Sequence, residues 1–251
     1  MAVNFKTLVE SAQASSLPAH RLTEVLEGGF ELFVAAYDAG DYSRAVEVGE
    51  CLVTVAERNL DDNDPTTVSA RGNLAVAYGA AGRPNDAIPL LRAGVDSVRE
   101  LRGADHPETV AAESNLAVAY AQAGQVSQAI PFFATSLATA ERDLGPDHPV
   151  TFGARLNLAR ALLGAGRPAE AVPMWERAQV TAERLYGAES AELLAVRKNL
   201  AAGYLALDRI ADSIAVGEST LRIMQRVLAP GQPNIAYVRD TLAAARAAAE
   251  G

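Results

Sequence analysis

The segments NLAVAY (73–78), NLAVAY (115–120), NLARAL (157–162) and NLAAGY (199–204) follow one another at a constant interval of 42 positions. Other residue types keep the same interval. They are glycine (Gly40, Gly82, Gly124, Gly166), alanine (Ala45, Ala87, Ala129, Ala171) and a leucine that recurs six times from Leu32 to Leu242. Self-similarity at a fixed period is the sequence signature of a repeat architecture. The chain is therefore predicted to be an array of similar structural units.

Each unit is predicted to contain two antiparallel helices. Asp-His-Pro precedes the first helix, with Asp105 or Asp147 as the cap and Pro107 or Pro149 in the first turn. The glycine after each NLAxxx segment can take the left-handed conformation that ends a helix. No segment shows the two-residue alternation of a strand, so the pattern predicts an all-α fold.

The phase of these residues gives the predicted domain boundaries. A capping helix in 1–22 precedes five units of equal length, and a capping helix in 233–251 follows them. The units are 23–64, 65–106, 107–148, 149–190 and 191–232. The predicted architecture is a right-handed α-α superhelix, or solenoid, of about five helix-turn-helix repeats. The terminal repeats are less regular, as terminal repeats generally are, since Glu31 and Thr241 replace the asparagine there.

Asn-Leu-Ala, Tyr, Gly and Ala at these intervals resemble the tetratricopeptide repeat (TPR), whose usual period is shorter, at about 34 residues. With LGPDHPVT (144–151) and AIPLL (87–91), the pattern is similar to the longer repeats of kinesin light chains and their bacterial relatives. The resemblance extends over residues 23–250. It implies a protein- or peptide-binding adaptor or scaffold whose first helices line a concave groove.

Composition argues against several functional classes. The net charge of −9 disfavours a general nucleic-acid or anionic-membrane binder. No apolar segment approaches the length needed to span a bilayer. The single cysteine, Cys51, cannot form an internal disulfide. We therefore expect a cytoplasmic protein with neither nucleic acid nor membrane as a partner, and the preference for Arg over Lys is typical of GC-rich bacterial genomes.

The recurring asparagines are the first candidate binding residues: Asn73, Asn115, Asn157 and Asn199. Their helix face carries mostly small residues, together with Val118 and Gln122 in the third unit. One interpretation is that the amides bind the backbone of an extended peptide, as this position does in related solenoids. The other is that each asparagine bonds to the neighbouring helix and fixes the angle between repeats.

Positive charge is concentrated on the first helices of the fourth and fifth units, at Arg155, Arg160, Arg197 and Lys198. A basic cluster in an acidic chain predicts an acidic peptide as the ligand. The alternative is a solvated helix face whose cations pair with nearby acids such as Glu192.

Neither a catalytic constellation nor a metal site nor a cofactor motif is expected. His106 and His148 each lie in a loop with one aspartate, so helix capping is the simpler interpretation. No phosphate-binding loop motif is present. Two other functions stay open: a self-associating scaffold, which would form a homo-oligomer, and a small-molecule-binding or accessory (tailoring) protein of a bacterial pathway.

Overall fold

The computed structural model describes residues 4–14, 16–104, 106–229 and 231–250. Those residues form twelve α-helices and no β-strand. The predicted all-α fold is confirmed, and the packing of each helix against the next within a unit is that of a TPR solenoid.

The chain divides into two compact parts, residues 1–125 and 126–251. We call these parts the first unit and the second unit, and we call the 42-residue segments of the sequence repeats. The helices of the first unit are α1 (Phe5–Gln13), α2 (Ala19–Asp38), α3 (Tyr42–Asn59), α4 (Pro65–Ala80), α5 (Pro84–Arg102) and α6 (Pro107–Gln122). Those of the second unit are α7 (Val126–Leu144), α8 (Pro149–Gly164), α9 (Pro168–Tyr186), α10 (Ala191–Ala206), α11 (Ile210–Val227) and α12 (Pro233–Glu250). We call α4, α6, α8 and α10, which carry the asparagines, the first helices, and α3, α5, α7, α9 and α11 the second helices.

The caps of the first helices follow the prediction in part, because the capping role of His106 and His148 is confirmed and that of Asp147 is not. The capping residue is the one directly before the proline, because that residue has the extended backbone from which the helix begins. It is Asp64 for α4, and histidine for the next two first helices. Nδ1 of His148 accepts the N–H of Val150 at 3.2 Å. The prediction that Asp147 caps α8 was wrong, since its carboxylate pairs with Arg184 at 2.8 Å; Asp105 lies outside the described residues.

The turns between paired helices follow the prediction. Gly40, Gly82, Gly124 and Gly166 have φ values between 71° and 74°. A residue with a side chain takes the fifth place, where Asp208 has φ 58°. Positive φ is the conformation that closes a helix and that favours glycine.

The core of each unit consists of aliphatic side chains in the phase of the repeat. The leucine after each asparagine is at most 5% exposed: Leu74, Leu116, Leu158 and Leu200. Small residues bring backbones close to these side chains. An added Cβ at Gly49, for example, would lie 3.0 Å from a methyl carbon of Leu74. Removal of this apolar surface from water is the main term that favours folding.

Hydrogen bonds and one ion pair join residues that are 28 positions apart. Tyr78 donates its hydroxyl to Glu50 at 2.8 Å, and Tyr204 donates to Glu176 at 2.9 Å. At the equivalent positions the bond runs from Arg92 to Tyr120, and Arg246 pairs with Glu218 at 2.7 Å. Each pair joins a second helix to the helix that follows it.

A separate set of ion pairs joins residues 14 positions apart, and we call it the Arg–Glu ladder. Glu57 pairs with Arg71 at 2.8 Å, and Glu141 pairs with Arg155 at 2.8 Å. Between them in sequence, the charges are exchanged, because Arg99 pairs with Glu113. We call each pair a rung. The glutamate lies on the second helix in the rungs of Arg71 and Arg155, and it lies on the first helix in the rung of Arg99.

Candidate functional site

The four asparagines lie in the middle of the first helices. Asn157 accepts a hydrogen bond from Arg160 of its own helix at 3.0 Å. Within the described residues, the amides of Asn73, Asn115 and Asn199 form no hydrogen bond. Among the described residues, none of the four side chains forms a hydrogen bond to a neighbouring helix. The free amides are available to a ligand.

A groove of about 520 Å³ opens between α4 and α6 in the first unit. Three of the residues singled out from the sequence line it: Asn115, Val118 and Gln122. Val76 of α4 faces the same groove and is 53% exposed. Gly72 and Gly79 contribute no side chain, which leaves room for one from a ligand. The groove combines apolar walls with two amide groups and carries no charge.

A smaller cavity of about 210 Å³ adjoins this groove and shares Gly72, Leu91 and Asn115 with it. Gly94 of α5 lies beneath, where an added Cβ would meet no atom within 4 Å. Larger residues occupy the position of Gly72 in the next three repeats, namely Ser114, Leu156 and Lys198. The space at this point is therefore particular to α4 and α5.

The second unit presents a basic face on its first helices. Arg160 of α8 is exposed, and Lys198 of α10 is partly buried. Burial and, to a smaller extent, the positive charge of Arg160 lower the pKa of Lys198. The lysine donates to Asn234 at 2.9 Å and lies 5.2 Å from the centre of the Tyr237 ring. Neither cation forms an ion pair within the described ranges, so this face can attract a carboxylate.

Two of the predicted basic residues are placed differently. Arg155 is 3% exposed and is held by Glu141, with a second bond to the carbonyl of Pro146 at 3.2 Å. It stabilises the contact between α7 and α8 and is not accessible to a peptide. Arg197 is partly buried at the equivalent position of α10, where Glu183 occupies the acid position of the rung. Glu192, the expected partner of this cluster, forms no ion pair in the described part of the chain.

Some site residues were not predicted from the sequence. Tyr37 and Leu91 line the groove of the first unit, and Asn234 and Tyr237 contact Lys198 in the second. The last two lie on α12, which keeps the phase of a first helix because Pro233 matches Pro65. That phase was the available signal. Tyr37 carries no such signal, since Gly79 and Ala121 occupy its place in the two repeats that follow.

The described residues contain no group of three or more His, Cys, Asp or Glu side chains able to hold a metal ion. Nor does any helix among them have the length and apolar character needed to cross a membrane.

Comparison with known families agrees with this arrangement. The tetratricopeptide repeat models match residues 67–108, 108–179 and 151–226. The chain belongs to the tetratricopeptide repeat family. No curated protein sequence matches this TPR chain.

Solved structures give the same result. A variant of a kinesin-light-chain-type protein of Podosopora anserina, with nearly identical TPR-like repeats, is 27% identical with a TM-score of 0.69. The match covers 80% of this chain and 95% of that one. BtubC (BKLC) from P. vanneervenii is 24% identical with a TM-score of 0.63, over 83% and 84% of the two chains. MamA MSR-1 is 19% identical with a TM-score of 0.56, over 81% and 98%. The last two similarities show the fold alone.

Proposed function

We propose that this TPR protein is a non-catalytic, protein-binding adaptor that holds extended peptide segments on its first helices. The TPR fold supports a role in protein interaction in general. The observation that carries the specific proposal is the set of four asparagines in phase on a face of small residues, three of whose amides have no hydrogen-bond partner among the described residues. An extended peptide backbone offers one donor and one acceptor per residue, which an asparagine side chain can match.

The two units offer different chemistry to such a segment. In the first unit, the groove of Val76, Asn115, Val118 and Gln122 suits an apolar side chain of the ligand beside amide contacts to its backbone. In the second, Arg160 and Lys198 suit a carboxylate. The proposed ligand is therefore an extended peptide segment. The second unit favours acidic side chains in such a segment, and the first unit favours apolar ones.

The test is a titration with a fluorescently labelled, unstructured peptide of Glu, Ser and Gly, against a control peptide with Gln in place of Glu. Arg160→Ala is expected to weaken binding of the acidic peptide by about 1.5–3 kcal/mol, as for a charge-assisted hydrogen bond. Asn157→Ala should cost about 0.5–1.5 kcal/mol. The loss from Arg160→Ala should shrink as salt rises, because exposed charges are screened.

Asn157 and Arg160 are hydrogen-bonded to each other, so the double variant should lose less than the sum of the single variants. Arg177→Ala is the matched control, since this exposed arginine lies on the second helix α9. If Asn157→Ala, Arg160→Ala and the double variant all keep parental affinity and helicity, this face is not the binding site. A self-associating scaffold would then be the better description, and measurement of mass in solution would test it.

A further inference from the structure

Three exposed valines keep the phase of the repeat in the first unit. Val34, Val76 and Val118 lie on α2, α4 and α6 at intervals of 42 positions, and we call them the valine row. They are 52%, 53% and 37% exposed. In the second unit the same place holds Arg160, Ala202 and Ala244. The first unit therefore exposes an apolar side chain where the second carries a cation or a small residue.

The face that carries the valine row is open to solvent as a property of the repeat. α4 has α2 and α3 before it and α5 and α6 after it. Ser69, Val76 and Ala80, which share this face of α4, are nevertheless exposed. The exposure of the same face on α2 therefore does not depend on where the chain begins.

α2 adds negative charge to this face. Glu27 and Glu31 lie seven and three positions before Val34, and Asp38 lies four positions after it, a spacing that places all three acids on the valine face. Each carboxylate is exposed and forms no ion pair in the described part of the chain. Tyr37, which directly precedes Asp38, lines the groove between α4 and α6. Unpaired carboxylates on α2 thus lie beside the uncharged groove.

The charge of the chain is divided in the same sense. Residues 1–125 contain 9 Lys and Arg against 18 Asp and Glu, whereas residues 126–251 contain 13 of each class. The net charge of −9 therefore belongs to the first unit. A cationic ligand is attracted by this field.

We propose that the first unit holds an extended peptide segment of a partner protein, with basic residues at one end and apolar residues along the rest. The apolar side chains cover the valine row, and the Lys or Arg side chains meet the carboxylates of α2. The inference rests on the proposed function, because it assigns a ligand to the asparagine-bearing face of the first unit.

The chemistry of the face selects this occupant. Three carboxylates without a cation favour ammonium or guanidinium groups, and the Tyr37 ring beside Asp38 also attracts cations. The valines disfavour a ligand that is basic throughout, because a charge above them would lose water without gaining a partner. Asn73 and Asn115 offer free amides to the backbone of the segment. The two units therefore select opposite charges.

The probe is a labelled, unstructured peptide with lysines at one end, followed by a leucine at every third position among Gly and Ser. An added Cβ at Gly79 would lie 3.5 Å from Oε1 of Gln122, so α4 and α6 are in contact there. Helices in contact lie about 8–10 Å apart, which an extended chain covers in about three residues. Binding is followed by fluorescence anisotropy, and a peptide with Glu in place of Lys is the control.

The first variant neutralises the acids of α2 and combines Glu27→Gln, Glu31→Gln and Asp38→Asn. It should weaken binding about tenfold at low salt, because each exposed ion pair contributes a factor of about two to five. The loss should shrink as salt rises. The matched control removes the same charge from exposed residues elsewhere in the first unit and combines Asp61→Asn, Asp96→Asn and Glu100→Gln. It should keep parental affinity.

Val34→Thr combined with Val76→Thr tests the apolar part without a change of charge. It should cause a several-fold loss of affinity that does not vary with salt, because apolar burial is lost. Val150→Thr is the control, since this valine is 56% exposed on α8 of the second unit.

The inference is overturned if the parent does not bind the basic peptide, if the Glu peptide binds equally well, or if the acid variant and its charge-matched control bind alike. It is also overturned if sedimentation shows that a second copy of this chain occupies the valine row. Failure of the proposed function is measured separately, with the acidic peptide and Arg160→Ala. That variant should bind the basic peptide like the parent.

Discussion

At the scale of single residues, the turns after the first helices make a direct prediction. Gly124 has φ 74°, and the following N–H of Gln125 bonds to the Tyr120 carbonyl at 2.8 Å. Gly124→Val should lower the free energy of unfolding by about 2 kcal/mol, because a β-branched residue is strained at positive φ. Asp208→Gly should be neutral or slightly stabilising, since Asp208 already has φ 58°. Urea denaturation measures both.

The control for these variants is Gly94→Ala, which adds a side chain to a glycine inside α5 with no atom within 4 Å of the new Cβ. It should stabilise the protein by about 0.5–1 kcal/mol, since alanine is the better helix former. Equal tolerance of Val at Gly124 and Ala at Gly94 would show that the turn does not depend on the left-handed conformation.

The same residues show how far sequence could define the candidate site. The asparagine face and the turn glycines were predictable, because both depend on contacts within a few positions along the chain. The burial of Arg155 was not, because its partner Glu141 lies on another helix and nothing local distinguishes it from the exposed Arg160. The empty position at Gly72 was visible in the sequence, yet only the packing of α4, α5 and α6 shows that it opens a groove.

At the scale of helices, the exchanged rung of the Arg–Glu ladder can be tested by exchanging it back. Glu113→Arg alone should destabilise the protein by about 1–3 kcal/mol, because a buried guanidinium would then face Arg99. The added change Arg99→Glu should recover most of this loss, since the rung would match that of Glu57 and Arg71. Chemical denaturation of the two single variants and the double variant gives the coupling energy. Additive losses would show that the rung does not act as a pair.

Helix positions followed well from the sequence for a physical reason. Proline at the first position of α4, α6 and α8 and glycine after each of these helices act within one turn, so their effect does not depend on tertiary structure. The choice between aspartate and histidine as the cap was less predictable. It depends on which residue directly precedes the proline, a difference of one position.

At the scale of the whole molecule, stability should fall as the pH rises from about 10 to about 12. Burial, followed by the hydrogen bond to a glutamate, raises the pKa of Tyr78 to about 12, and the same causes raise that of Tyr204 to about 12. An unfolded tyrosine releases its proton near pH 10. Between these values the folded state holds protons that the unfolded state has lost, so rising pH favours unfolding.

Tyr78→Phe combined with Tyr204→Phe should therefore lower stability at pH 7 but flatten its decline above pH 10. Melting temperature measured from pH 7 to pH 12 tests this. Tyr186→Phe serves as the control, because the hydroxyl of this exposed tyrosine forms no hydrogen bond within the described residues. An undiminished alkaline decline in the double variant would rule out these tyrosines as its cause.

The exchanged rung also bears on how such a chain folds correctly. Similar helices can substitute for one another during folding, which is a characteristic route to misassembly in repeat proteins. If α3 were to pack against α6 instead of α4, Glu57 would meet Glu113; if α5 were to pack against α8 instead of α6, Arg99 would meet Arg155. Like charges would oppose each slip by a whole repeat. A chain with the glutamate on the second helix in every rung would lose this repulsion in misassembled states. Its refolding yield should therefore drop even where its native stability is unchanged.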